Sequence, residues 1–265
     1  MTHHLTELAE RSSLPILKGK VALITGAGKR IGRALAIALA DEGVNVVAHD
    51  RKVMEVETAK VCDEVVECGA RAWSITAELE RPEEYESLIA RAMKAAGTLD
   101  ILINNASIFL PNAVMDVGFS DVTRHLQVNA WAPFVLSREF ARLADRGKII
   151  NLLDTRITGY DRAHIAYVLS KRMLSDLTMM CALEFAPDFT VNGVAPGLIL
   201  PPAGKDKSYL AGLAESVPLR RHGEPADIAD AVLYLLKSDF VTGQILYVDG
   251  GRHLGEENHG PHSDQ

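Results

Sequence analysis

Between residues 20 and 248, short apolar runs rich in β-branched residues alternate with stretches of helical periodicity. This alternation constrains the fold more than any other feature. Strand-like runs fall at 20–25, 44–49, 70–76, 99–103, 148–153, 190–194 and 244–248. Helical patterns fall at 30–42, 53–68, 82–96, 121–144, 163–185 and 225–237. Runs that are apolar on every residue, rather than on every second one, suit strands buried on both faces, hence a parallel sheet between helical layers. Parallel neighbours need right-handed crossovers, so the pattern predicts an α/β, Rossmann-type doubly wound parallel sheet in a single domain, residues 18–254. Residues 1–17 form an N-terminal extension and residues 255–265 a polar, His-containing tail. A chain of 265 residues, 48% hydrophobic, can bury one core of this kind.

A net charge of −7 argues against nucleic acid or an anionic membrane as partner. No apolar run is long enough to span a bilayer, and residues 1–13 lack the apolar stretch of a signal peptide. The three cysteines, Cys62, Cys68 and Cys181, have neither metal-type spacing nor a disulfide pattern, which points to a reducing cytoplasm and no metal. The partner expected is a small-molecule substrate.

Thr25-Gly26-Ala27-Gly28-Lys29-Arg30-Ile31-Gly32 follows the first strand and opens the first helix. In that setting glycines let the backbone approach a pyrophosphate, and the helix N-terminus supplies amide donors. Asp50 ends the second strand, where a carboxylate accepts from an adenosine ribose and repels a 2′-phosphate, as in NAD enzymes. Arg30, Arg51 and Lys52 cluster nearby and could clamp that phosphate instead.

Tyr167 and Lys171 are four residues apart on the helix predicted at 163–185, so they share a face. An ammonium beside a phenol favours the phenolate and lowers the tyrosine pKa, making Tyr167 a candidate proton donor or acceptor. Asp154 stands thirteen residues before the tyrosine. An ionised aspartate is acceptor-only, so beside a ketone oxygen it would oppose the charge that hydride transfer creates. Beside a ring nitrogen or exocyclic amine it can accept an N–H or, if protonated, pass a proton through Tyr167. The competing reading is a strand-end carboxylate in a turn with Thr155.

Taken in order, these elements resemble the short-chain dehydrogenase/reductase family over about residues 18–254. The turn is similar to that family's Thr-Gly-x-x-x-Arg-x-Gly cofactor motif. The resemblance implies pyrophosphate contacts at Gly26, Lys29, Arg30, Ile31 and Gly32, and adenosine contacts at Asp50, Arg51, Lys52 and Glu78, the last where the family has aspartate. Asn105, Ala106 and Ser107 stand at the Asn-Asn-Ala-Gly element, with Ser107 replacing glycine. Pro196 and Gly197 match the segment bordering the nicotinamide. Tyr167 and Lys171 match the catalytic pair, with Lys171 also holding the nicotinamide ribose. Asn129 matches a helix asparagine whose backbone holds a water in a proton relay. The resemblance also implies a homotetramer built on the helices at 121–144 and 163–185.

Where the family usually has serine, this chain has Asp154. That residue, Ser107-Ile108-Phe109, Lys29-Arg30 and the run 194–202 look like the pteridine reductases. His49-Asp50-Arg51-Lys52 is similar to a segment of their NADPH-using members, although Asp50 departs from it. NADPH is therefore favoured, with NADH the alternative. The likeness makes Phe109 a stacking partner for a pterin, against plain core packing. It also makes residues 198–218 a substrate lid in which Leu198, Tyr209 and Leu213 face the ring. The expected reaction is NAD(P)H-dependent reduction of a pterin-like C=N bond. The rivals are a general hydroxyl/ketone dehydrogenase and a catalytically silent cofactor sensor.

Overall fold

The computed structural model describes residues 17–202 and 204–255. The N-terminal extension up to residue 16 and the tail beyond Gly255 lie outside the described residues.

Seven parallel strands form one sheet in the order β3-β2-β1-β4-β5-β6-β7. They are β1 Val21–Thr25, β2 Asn45–Asp50, β3 Ala72–Thr76, β4 Ile101–Asn104, β5 Gly147–Leu152, β6 Phe189–Pro196 and β7 Ile245–Val248. The expected architecture is the one observed. The strand order reverses between β1 and β4, which opens a crevice beyond the strands' C-terminal ends. Every residue of β1 and β4 is buried, as their unbroken apolar runs require.

Helix α1 (Arg30–Asp41) buries Gly32, Leu35, Ala36, Leu39 and Ala40. That i, i+3, i+4, i+7, i+8 spacing is a single apolar stripe lying on the sheet. Helix α2 (Glu55–Glu67) buries Val61 and Val65 in the same core. Two short helices follow, α3 (Pro82–Tyr85) and α4 (Leu88–Ala96). One helix was expected at 82–96, but it is interrupted at Glu86 and Ser87, where the Ser87 hydroxyl donates to the Glu84 carbonyl. On the opposite side of the sheet Leu88, Ile89, Leu102, Leu136 and Phe140 make a second core.

The helix expected at 121–144 is three pieces: α5 (Phe119–Leu126), a π-helical turn at Gln127–Trp131, and α6 (Ala132–Leu143). Helix α7 (Ile165–Glu184) carries Tyr167 and Lys171. A buried polar ladder ties it to the sheet: Asn104 Nδ2 donates to Asn151 Oδ1 (2.8 Å), and Asn151 Nδ2 to Thr178 Oγ1 (2.9 Å). Inside the predicted lid lies α8 (Lys207–Ala214), opened by Asp206, whose carboxylate accepts from the Ser208 amide at 2.9 Å. Helix α9 (Pro225–Lys237) starts on a proline and packs Ile228, Val232 and Leu235 against α1 and the sheet. Among the described residues no helix is long and apolar enough to cross a membrane.

Candidate active site

The strands' C-terminal ends border a cleft of about 420 Å³ that is lined from both sides of the β1/β4 crevice. Its floor is the glycine turn. A Cβ on Gly32 would lie 2.0 Å from the Gly26 carbonyl oxygen, so only hydrogen fits where α1 leaves the turn. Arg30 takes a left-handed φ of 55°, a strained conformation for a residue that carries a Cβ. Its guanidinium crosses the cleft and donates to the Pro201 carbonyl at 2.9 Å. Asn105 staples the end of β4 to the turn, its Nδ2 donating to the carbonyls of Thr25 (2.9 Å) and Gly26 (3.0 Å). Thr25 Oγ1 accepts in return from the amides of Asn105 and Ala106, both at 3.0 Å.

Asp50 is buried, and both its oxygens are engaged by the backbone: Oδ2 accepts from Gly28 N (3.1 Å) and Oδ1 from Arg51 N (2.8 Å). Lys29 and Arg51 reach the cleft with side chains that have no hydrogen bond or ion pair among the described residues. Lys52 does not line the cleft; it sits in the one-turn helix Lys52–Met54 with an exposed side chain. Ile31, Glu78, Ala106, Ser107, Pro196 and Gly197 all border the space. So does His49, which burial pushes down to about 4, leaving it neutral. Its Nε2–H meets the Ala77 carbonyl at 3.1 Å, and its Nδ1 is buried without a partner.

At the other end, Asp154 leaves β5 and opens the short turn Thr155–Ile157. The Tyr167 hydroxyl donates to Asp154 Oδ2 at 2.8 Å. Asp154 also accepts from Arg156 N (2.8 Å) and Arg156 Nη1 (3.3 Å). Each of these contacts is made by a donor, the pattern of an ionised carboxylate. Arg156 extends the chain to Asp161 (Nε to Oδ2, 3.1 Å), which also takes His164 Nδ1 at 2.9 Å. Burial works against the charge on Asp161, but its bonds to His164 and the Ala163 amide, together with Arg156, bring it down to about 2.

Lys171 is buried, donates to the Leu152 carbonyl at 2.6 Å, and lies 5.9 Å from the Tyr167 ring centroid. Burial lowers its pKa to about 8, against the pull of Asp154. The expectation that Lys171 depresses the Tyr167 pKa does not hold. Tyr167 is pushed well above the ordinary phenol value, by burial first and by Asp154 second, with Arg156 the charge opposing them. Asp154 is nearer the hydroxyl than any cation, so the phenol keeps its proton and is poised to donate it.

Asn129 lies within the π-helical turn and behind the cleft rather than on its wall. Its Oδ1 accepts from Ile108 N (2.8 Å), and its Nδ2 donates to Ile108 O (2.9 Å) and Ser170 Oγ (3.0 Å). It thereby joins the strand-end loop to α7. Phe109 lines the cleft but is already stacked on His164 (centroids 4.2 Å apart, 13° between planes) and edge-on to Tyr167 (4.7 Å). Arg156 hangs 5.2 Å from the Phe109 centroid. Leu198, Tyr209 and Leu213 line the cleft from the predicted lid. Sequence reasoning missed Arg156 and Arg252. The first had a signal, a base two residues after Asp154; the second had none beyond its place after a terminal Gly-Gly.

A family model described as enoyl-(acyl carrier protein) reductase matches residues 26–253. An uncharacterized oxidoreductase of Mycobacterium tuberculosis is 34% identical over 250 residues, 89% of this chain and 92% of the relative. Among solved structures, FolM alternative dihydrofolate reductase 1 from Brucella canis, complexed with NADP, superposes with a TM-score of 0.86 at 27% identity, covering 94% of this chain and 98% of that one. The angucycline C-6 ketoreductase LanV with bound NADP gives 0.84 at 31% identity, covering 91% and 98%.

Proposed function

The chain belongs to the short-chain dehydrogenase/reductase family and is an NAD(P)-dependent oxidoreductase; we propose that it uses NADP(H) and reduces a C=N bond of a pterin-like ring. The observation that carries this reading is the 2.8 Å bond from the Tyr167 hydroxyl to Asp154. A carboxylate in this position favours a substrate nitrogen over a ketone oxygen, because it can accept an N–H and repels a developing oxyanion.

The cofactor reading rests on the adenosine side. Asp50 accepts from two backbone amides, while Lys29 and Arg51 have no hydrogen bond or ion pair among the described residues and would hold a 2′-phosphate. The glycine turn and the first amides of α1 would take the pyrophosphate. Bound there, a nicotinamide would supply the hydride. Everything else falls to the chain's own groups. Tyr167 delivers a proton to the substrate nitrogen when that nitrogen displaces Asp154 from the hydroxyl. Asp154 keeps its Arg156 donors and accepts a neighbouring substrate N–H. Lys171, positive below about pH 8, stabilises the phenolate as it forms. Asn129 positions the Ile108 loop and α7 relative to each other. The family resemblance further implies a homotetramer on α5–α6 and α7; α7 presents Met180 and Leu183 to solvent.

A second reading has its own support. Phe109 is already stacked on His164, so a pterin would have to share or displace that contact, whereas a small ketone would not. LanV, a structural neighbour, is a ketoreductase. Steady-state assays with dihydropterins, dihydrofolate, simple ketones and secondary alcohols, each with NADPH and NADH, separate the two. The pterin reading expects turnover of the first two only. Turnover confined to ketones or alcohols refutes it, and cofactor binding with no turnover would favour a silent sensor.

A further inference from the structure

The cations at the substrate end of the cleft are paired, with one exception. Arg156 is shared between Asp154 and Asp161, and Lys171 donates to a carbonyl. Arg252 opens the short turn Arg252–Leu254 just after β7 and lines the same cleft. Its guanidinium has no hydrogen bond or ion pair among the described residues. The carboxylate nearest in sequence, Asp249, is already filled. Its Oδ1 accepts from Gly251 N (2.9 Å), and its Oδ2 from Thr155 Oγ1 (2.6 Å), His253 N (2.7 Å) and His253 Nδ1 (2.9 Å). Burial, and then repulsion from Arg156, hold Arg252 below the ordinary arginine value, with Asp154 and Asp249 pulling the other way without bonding to it. A half-buried guanidinium with no carboxylate bonded to it among the described residues is unfavourable, and its planar fork matches a carboxylate. The cofactor does not supply the missing anion: the cations suited to its phosphates, Lys29 and Arg51, lie by β1 and β2, whereas β7 is the opposite edge of the sheet.

We propose that the substrate is an organic acid and that Arg252 is the specificity-determining residue that takes its carboxylate. The proposal rests on the cleft being the reductase's substrate site, and it adds a charge requirement that the ring chemistry does not contain.

The test compares matched substrate pairs with the full chain and NADPH. One pair is dihydrofolate, which carries carboxylates, and dihydrobiopterin, which does not. The other is an aryl keto acid and its methyl ester. For the acid of whichever pair reacts, R252M should raise KM about ten- to a hundredfold, the loss expected for a charge-assisted bond. Its kcat, the kinetics of the uncharged partner, and the Kd for NADPH should stay within about twofold, a margin well below that loss. R252K should recover part of the preference. Equal losses for both members of a pair, or weakened cofactor binding instead, would overturn the proposal. If only the keto acid pair reacts and shows the effect, the pterin reading fails while the charge requirement stands. If the pterins react with no preference for the acid, the reverse holds. If neither pair turns over, binding of the same ligands to the NADP-loaded protein reads the same preference, and equal affinities would overturn it.

Discussion

At the cofactor end of the cleft, Thr25, Asp50 and Asn105 direct their polar atoms to main-chain groups; at the substrate end, Asp154, Arg156, Asp161 and His164 bond to one another. The first arrangement fixes a backbone surface and leaves two cations, Lys29 and Arg51, ready for a phosphate. The second fixes one proton, on Tyr167, by a chain of charges in which each member depends on the next. Damage at the first end should therefore be local and confined to the ligand. Damage at the second should spread.

Replacing Tyr167 with Phe puts the sharpest strain on this contrast. Turnover should fall by about a hundred- to ten-thousandfold, the span of general acid catalysis, while NADPH titration by fluorescence gives an unchanged Kd. A large change in Kd would mean that the two ends are not separable. Next comes Arg156→Met, which strands Asp154 and Asp161 without their shared cation. Thermal and urea unfolding should report a loss of about 3 kcal/mol, together with reduced kcat, because removing one partner leaves partly buried charges uncompensated. A smaller, purely local effect is expected from Lys29→Ala with Arg51→Ala. KM for NADPH should rise roughly tenfold, with KM for NADH and the melting temperature little changed. A parallel rise for both cofactors would show that the cations serve the pyrophosphate instead.

The mildest test is pH. Lys171 is charged below about 8 and loses its proton as pH rises through that value, so kcat/KM should decline on the alkaline side of 8. Tyr167 sits well above its ordinary value and contributes no titration there. Lys171→Arg keeps the charge and should flatten the alkaline limb.

The same contrast explains what could be read from the sequence. The doubly wound parallel sheet and the glycine turn follow from periodicity and from residues that only one backbone geometry accommodates, such as Gly32 against the Gly26 carbonyl. The Tyr167–Lys171 face follows from helical spacing. Their electrostatics did not. Spacing places Lys171 beside Tyr167, but only the folded chain shows Asp154 nearer the hydroxyl and burial raising it. The sequence places Asp50 at the ribose; only the folded chain shows its two oxygens already accepting from the Gly28 and Arg51 amides. Phe109 reads as an open platform until His164 is found on it. Arg252 was invisible because nothing local marks it; Asp154, Arg156 and Tyr209, which bear on it across the cleft, are more than forty residues away. The break at Ser87 and the helix at Lys207–Ala214 were missed because short elements depend on individual side-chain bonds, which periodicity does not register.

The π-helical turn at Gln127–Trp131 carries one residue more than a regular helix would use. Each residue of an α-helix advances about 100° around its axis, so removing one there would swing Asn129 relative to α6 by roughly that angle. The shortened helix would be more regular and easier to form, yet Asn129 would no longer face both Ile108 and Ser170. In this chain, the route to a sturdier helix and the route to a working enzyme diverge at a single surplus residue.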